Sequence, residues 1–475
     1  MLTKRARPSC LAALSSLVLW TGIGQAQAAT INAASCSYAD VSAAVAAAGP
    51  GDTVMVPPGS AVWNNTLTMT RGIRLHGKGI DQTTIAGKRR LISWQPNAAA
   101  QTSHETLEIA GFTFDGQDAT SAELGYAGLI YGTASSPTYV YMMVRDNQIK
   151  RTTGTGVYLW GPIYGVASSN YYDMVAMPIR LFGSDHLSWQ NEEQEYGTAN
   201  NFYFEDNVIG FSSLWPAGAA GWIERGQGRR IVVRYNTWDE TNVTAPGEFW
   251  DVHGLQNPRG PGPANCEASS TMVAEYYGNK IINQRNAFRW MYHRGGWLLM
   301  FYNTMSGTTS PGNSVTQYFS DTCQIGGPFV QKVDNTYFWR NLANGVEKRA
   351  SFAHPGVGYG VETEPLMEDV DFFNYNASFD GTRGVGCGPL ASRPATCTVG
   401  VAYWATDQSI SDLTGMVGAK PRTPIQGTLY KCTAANTWTR YYTPYSYPHP
   451  LLGGRRWGEQ SSGAEAGVVP EGSLD

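Results

Sequence analysis

Along most of the chain, apolar and polar positions alternate, and short runs close on the same residue. MMVRDN ends at Asn147, FYFEDN at Asn207, IVVRYN at Asn236, AEYYGN at Asn279 and LLMFYN at Asn303; VASSN at Asn170 and KVDN at Asn335 are looser members. A short strand-like unit recurring about every 23 residues, with variable insertions, predicts a β-solenoid whose insertions map to loops on one face. Residues three before the asparagine (Val144, Phe204, Val233, Tyr276, Met300) are core types. Those two before it (Arg145, Glu205, Arg234, Tyr277, Phe301) then point outward. Asparagine suits the closing turn because it tolerates the left-handed region, and stacked copies can pair their side chains along the axis. Glu205 and Arg234, outward on successive coils, read either as a surface ion pair or as the floor of a substrate groove.

The two ends depart from this pattern. Ala39 to Ala48 is alanine-rich at helical spacing and is stopped by Gly49 to Gly51. TVMVPPG, LTMT and IRLHGKG then read as short strands. A helix there would cap the first coil, whose apolar surface and strand edges are otherwise open. From residue 381 the chain is rich in glycine and small residues, and it ends in the aromatic, proline-rich stretch LYKCTAANTWTRYYTPYSYPHPL. Extended segments packing over the solenoid are expected at 381–452, followed by a disordered tail at 453–475.

Composition narrows the class. Charged residues make up 15% of the 475 and aromatics 12%, with 54 glycines, which disfavours a helical bundle and suits many strands joined by tight turns. Residues 1–28 read as a signal peptide: Lys4, Arg5 and Arg7, an apolar stretch too short to span a bilayer, and the cleavage signature Ala26-Gln27-Ala28. A secreted or periplasmic protein without a membrane span is expected. Losing the leader moves the net charge from -4 to -7, which argues against nucleic acid as a partner. Cys36, Cys266, Cys323, Cys387, Cys397 and Cys432 remain, an even set that predicts disulfides without fixing their pairing.

The opening DVSAAVAAAGPGDTVMVPPG, the asparagine-ended runs, and phrases such as YFEDNVIGF, DVHG, HRGGWLLMFYNTM and PYSYPHPL resemble the pectin-lyase-like superfamily. More narrowly, they resemble a group of exported bacterial members. The resemblance spans roughly residues 37–452. It implies an all-β fold: a right-handed parallel β-helix over 29–380 with an N-terminal cap helix and a loop-rich, disulfide-clamped C-terminal region. It implies a polysaccharide partner and a monomer. The superfamily hosts lyases, hydrolases, esterases and adhesins, so function has to come from the site. The hydrolase signatures Asn-Thr-Asp, Asp-Asp, Gly-His-Gly and Arg-Ile-Lys are missing, and only His253 beside Gly254 remains of them.

Candidate chemistry concentrates between Glu248 and Asn303. β-Elimination from a uronic acid needs a cation to neutralise the carboxylate, a base for the C5 proton and an acid for the leaving oxygen. Arg259, Arg289 or Arg294 would pair the carboxylate. His253, His293, Lys280 or an arginine would serve as base, and Tyr292 would protonate the leaving group. Arg234, Glu205, Trp250 and Trp290 are expected to bind substrate. Trp160, Trp189, Trp215, Trp222 and Trp297 fall in or beside insertions and fit either sugar platforms or loop anchors. Ca2+ is a candidate cofactor where acids cluster, at Asp251 or at Glu192, Glu193 and Glu195, and His186 is a lesser groove candidate. The expected activity is an exported polysaccharide lyase on an acidic glycan. A glycoside hydrolase using two of Glu205, Asp206, Glu224, Asp239, Glu240, Glu248 and Asp251 is the alternative enzyme. A non-catalytic glycan-binding surface protein is the alternative outside enzymes.

Overall fold

The computed structural model describes residues 28–135, 137–183, 195–215, 221–225, 229–244, 247–252, 273–285, 287, 289–316, 333–353, 366–408 and 425–453; for 224, 225 and 248 it describes the backbone alone. Nearly all of residues 1–28 and all of 454–475 lie outside that set.

The fold is the expected parallel β-helix. One strand per coil forms a 12-stranded parallel sheet, face one, running from Thr30–Asn32 through Val140–Arg145, Phe202–Glu205, Arg230–Arg234, Val273–Tyr277 and Trp297–Phe301 to Phe372–Asn374. After the asparagine turn the chain enters a second sheet that bends into two columns, faces two and three. The strand Gln148–Trp160 shows the bend. Its first part pairs with Thr113–Ala119 and its second with Gly128–Thr133. The register against Thr113–Ala119 shifts between Lys150 and Thr152, where Arg151 takes a positive φ of 56°, and that against Tyr171–Phe182 shifts between Thr152 and Thr155. Each coil thus lays down three strands and rises about 4.8 Å, the strand spacing of a sheet.

The inward column of face one is as expected: Val144, Phe204, Val233, Tyr276 and Met300 all sit in the core. Face three contributes Ile130, Val157, Ile179, Ile223, Trp250 and Met291 in register to the same interior. Asn147, Asn170, Asn207, Asn236, Asn279 and Asn303 form a continuous buried ladder. The Oδ1 of each asparagine after the first accepts from the backbone N–H and the Nδ2 of its predecessor, at 2.9–3.1 Å. Two details differ from expectation. The left-handed residue is the one before the asparagine, with φ of 55° at Asp146, 56° at Asp206 and 59° at Tyr235, so the asparagine serves for its side chain alone. The next rung is also Asn341, which accepts from Asn303 Nδ2 at 2.9 Å, and not Asn335. Asn335 precedes its strand Thr336–Trp339, whereas Asn341 follows it, and only the second placement meets the ladder.

A helix covers the first coil over Tyr38–Ala47, N-capped by Ser37, whose side chain accepts from Asp40 N–H. At the other end Val385–Gly388, Ala402–Ala405, Thr428–Ala434 and Thr437–Tyr442 form a four-stranded sheet, clamped by Cys397–Cys432 with its Cα atoms 6.0 Å apart. Cys36 and Cys387 carry no disulfide, and Cys266 and Cys323 lie outside the described residues.

This sheet corrects the reading of face one. It packs on the outward column, where Tyr277, Phe301 and Trp339 stack 4.7 and 4.3 Å apart beneath Trp404 and Tyr442. Arg234 and Glu205 are completely buried. The guanidinium bonds Glu205 Oε2 at 2.7 Å and donates to the carbonyls of Tyr445 and Ser446 at 2.8 Å; Glu205 Oε1 accepts from His449 N–H at 2.8 Å. The pair is neither a surface ion pair nor a groove floor. It anchors the C-terminal segment.

Candidate active site

Face three carries the candidate site. Its outward column runs, one coil at a time, through Tyr131, Tyr158 and Arg180, passes the backbone of residue 224, and continues through Asp251, Tyr292, Ser314 and Ser351, each position in register with the next. Alternation fixes which side chains face outward, because their neighbours Ile179, Trp250 and Met291 are buried in the core.

At the column's C-terminal part Asp251, Arg289, Tyr292 and Arg294 converge. Arg294 Nε donates to Asp251 Oδ1 at 2.8 Å while its Nη2 pairs with Oδ2, a bidentate fork holding both groups. Its guanidinium carbon lies 4.9 Å from the centre of the Tyr292 ring, and that of Arg289 lies 3.9 Å from it. Asp251 is fully buried, and Tyr292 and Arg294 retain 6% and 4% exposure. Both guanidiniums thus lie against the Tyr292 ring, and the Asp251 carboxylate fixes one of them.

The N-terminal part of the column is an aromatic floor crossed by arginines. Tyr131 and Tyr158 are 5.7 Å apart, and Trp160 and Phe182 stack at 6.5 Å with planes 12° apart. Arg90 lies 4.3 Å from the centre of the Tyr131 ring, and Arg180 lies 4.7 Å from that of Phe182 and 5.5 Å from that of Tyr158. These six side chains are half-buried. Apart from Trp160, none was singled out from the sequence. Their signal lay in GLIYGT, GVYLWGP and PIRLFG, where every second residue is aromatic or charged and the residues between are core types.

Several expected site residues stand elsewhere. His293 faces inward with no exposure, its Nε2 in contact with Gly296 O at 3.0 Å and Thr336 Oγ1 at 3.2 Å, so it is a core histidine and not a base in the groove. Trp250 and Trp290 are likewise core residues, 6.2 Å apart, and present no face to a sugar. Lys280 is exposed on face two, in register with Thr237 and Thr304, on a different column from Arg294. Asp251 is a poor calcium ligand because the Arg294 fork occupies both its oxygens. Among the described residues no group of three or more histidine, cysteine, aspartate or glutamate side chains could hold a metal ion. Glu195 accepts from Asn200 Nδ2 at 3.0 Å. His186, Glu192, Glu193, His253 and Arg259 lie outside the described residues.

No family model matches the chain, and no curated protein does. Among solved structures it is similar to ORF18 of Geobacillus virus E2, with 14% identity, a TM-score of 0.31 and coverage of 69% of this chain and 60% of that one. It is similar to the A-module of the Azotobacter vinelandii mannuronan C-5 epimerase AlgE4, with 11% identity, a TM-score of 0.27 and coverage of 68% and 95%. A third similar structure is the catalytic domain of a GH87 alpha-1,3-glucanase in complex with tetrasaccharides, with 13% identity, a TM-score of 0.23 and coverage of 67% and 66%. The architecture stands on the strand register above, and the chemistry on the side chains of face three. No helix among the described residues is long and apolar enough to cross a membrane.

Proposed function

We propose that this protein is an exported, pectin-lyase-like enzyme that cleaves an acidic polysaccharide by β-elimination on face three. The observation that carries the reading is Tyr292, outward in the column, with Arg289 3.9 Å and Arg294 4.9 Å from its ring centre and Asp251 in register beside it. In this reading Arg289 neutralises the uronate carboxylate, which acidifies the C5 proton. Tyr292 is the proton-transfer group: its phenolate takes the C5 proton, the C5 electron pair forms the C4–C5 double bond as the C4–O4 bond breaks, and the phenol so formed gives that proton to O4, which regenerates the phenolate. Asp251 acts through Arg294, holding the guanidinium beside the ring, and is a positioning residue. His253 remains a further candidate base. The aromatic floor from Tyr131 to Phe182 would carry the rest of the chain, with Arg180 among its sugars' carboxylates.

A second reading has one specific observation behind it. The backbones of residues 224 and 251 are consecutive in register on adjacent strands, and a hydrolase needs two carboxyl groups across the scissile bond. The Arg294 fork on Asp251 favours elimination over this alternative.

The test is the ultraviolet absorbance of the unsaturated sugar released from alginate, pectate, glucuronan and glycosaminoglycans, for the mature protein and for Tyr292→Phe. A rise that Tyr292→Phe abolishes supports the lyase. New reducing ends without absorbance move the assignment to Glu224 and Asp251. Binding without either product moves it to a non-catalytic glycan-binding protein.

A further inference from the structure

We propose that the N-terminal half of face one carries a second glycan-binding surface, separate from face three, that stacks neutral sugar rings on His104, Tyr139, Tyr141 and Tyr164. The inference does not depend on the chemistry at Tyr292. Tyr141 and Tyr164 are outward and consecutive in register, with ring centres 6.5 Å apart. Tyr139 lies 5.6 Å from the first and 5.5 Å from the second, and His104 stacks on Tyr139 at 3.9 Å with planes 13° apart. The histidine is held there by contact of its Nδ1 with Tyr139 O at 2.9 Å. His104 is exposed and the three tyrosines are partly exposed. The same outward face is sealed further along by the C-terminal sheet and the segment after it, whose Tyr445 rests 5.4 Å from Tyr203. The aromatic continuity of the face therefore runs on from where the covering stops.

Charge decides the ligand class. The cations beside the patch are committed within the protein. Arg145 donates to Glu108 and Asp146, Arg74 lies 3.6 Å from Glu108 and donates to Gly51 O, and His76 Nε2 lies 3.1 Å from Glu108. Two carboxylates answer the two guanidiniums at Glu108, and a third cation, Arg229 beside Tyr164, is buried and donates to the carbonyls of Gly161 and Ile163, so it is not presented to a uronate. Burial and the adjacent phenols push the Tyr141 hydroxyl up to about 12, which keeps it neutral at ordinary pH. Flat apolar rings rimmed by neutral hydroxyls match the C–H face and hydroxyl rim of an uncharged pyranose. Face three, with Arg180 and Arg289 along its column, has the opposite preference. Such an arrangement would hold the protein on a neutral polymer while the other face works on an acidic one.

The experiment is affinity electrophoresis of the mature protein through gels containing hydroxyethyl cellulose, a soluble β-1,3-glucan or galactomannan, with polygalacturonate as the acidic control. We expect retardation by at least one neutral polymer, insensitive to salt. It should weaken about tenfold in Tyr139→Ala with Tyr164→Ala and persist in Tyr164→Phe, since stacking and not the hydroxyl carries it. A second measurement needs no variant: a neutral hexasaccharide of the retarding polymer should protect Tyr139 and Tyr164 from nitration, read by mass spectrometry. Absence of retardation by every neutral polymer, retardation by polygalacturonate alone, alanine variants that bind like the parent, or unprotected tyrosines would each overturn the proposal.

Discussion

Glu275 gives the sharpest test of how the C-terminal sheet is held. It points outward from face one and is completely buried under that sheet. Oε1 accepts from Gly197 N–H at 2.8 Å, and Oε2 shares a hydrogen with the Tyr442 hydroxyl at 2.6 Å. Burial raises its pKa from 4.5 to about 7, outweighing those hydrogen bonds and the more distant charge of Arg234, which lower it. Because the folded value lies above the unfolded one, the unfolded chain gives up this proton first, and stability falls as pH rises from about 4.5 to about 7. At ~1.36 kcal/mol per pH unit the full loss is about 3 kcal/mol, with under 1 kcal/mol of it incurred by pH 5. Glu275→Gln copies the protonated acid, its carbonyl accepting from Gly197 and its amide donating to the tyrosine oxygen.

Urea unfolding of both proteins at pH 5 and pH 8 isolates the effect, since every other titrating group cancels in the difference. The variant should gain about 2 to 3 kcal/mol on the wild type between the two pH values. A difference that stays constant across that range would mean that Glu275 is already ionised in the folded protein, and the argument from burial would fail.

Three further outcomes follow from single contacts. Asp251→Asn weakens the charge on the Arg294 fork without removing the side chain. It should lower kcat on the acidic substrate about a hundredfold with little change in KM, measured by steady-state kinetics. Asn236→Ala orphans the Asn207 N–H and the Phe204 carbonyl inside the ladder and should cost about 3 kcal/mol in urea unfolding, whereas truncating an exposed asparagine should cost almost nothing. Arg234→Met leaves Glu205 charged and unpaired and should cost about 3 to 5 kcal/mol, seen as faster hydrogen exchange in 441–449. Adding Glu205→Leu should recover part of that loss.

The coil period, the inward column and the capping helix were legible because each rests on local rules: period-two alternation, a turn residue with a repeated side-chain role, and an alanine run stopped by glycine. The ladder's last member was not, because a run ending in asparagine and a run beginning after one look alike until the strand itself is placed, as Asn335 and Asn341 show. The candidate site was legible only in part. Arg289, Tyr292 and Arg294 follow one another on a single strand and its turn, so their proximity needed no long-range information. Asp251 joins them through parallel register, a relation that the lengths of two insertions conceal. His293 and Trp250 went astray by one position. A strand residue's neighbour faces the other way, so a tight cluster in sequence divides between groove and core.

Alternation tells inside from outside, but not what covers the outside, and the reading of Glu205 and Arg234 as a groove floor stumbled there. The sequence nevertheless held a usable signal. Along face one the outward positions pass from Arg145, Ser168 and Glu205 to Tyr277, Phe301 and Trp339, so the later strands are apolar on both sides. A strand apolar on both sides is buried on both sides, and something in the chain has to cover it. The only stretch rich enough in aromatics and lying beyond the last coil is the one that ends in PYSYPHPL. Along face three the outward positions never make that change: they stay aromatic, charged or hydroxyl-bearing from Tyr131 to Ser351. The later coils of face one are thus committed to the protein's own C-terminal segment, whereas face three keeps its polar side chains in line with the helix axis. That continuity is why the proposed acidic substrate is placed along face three.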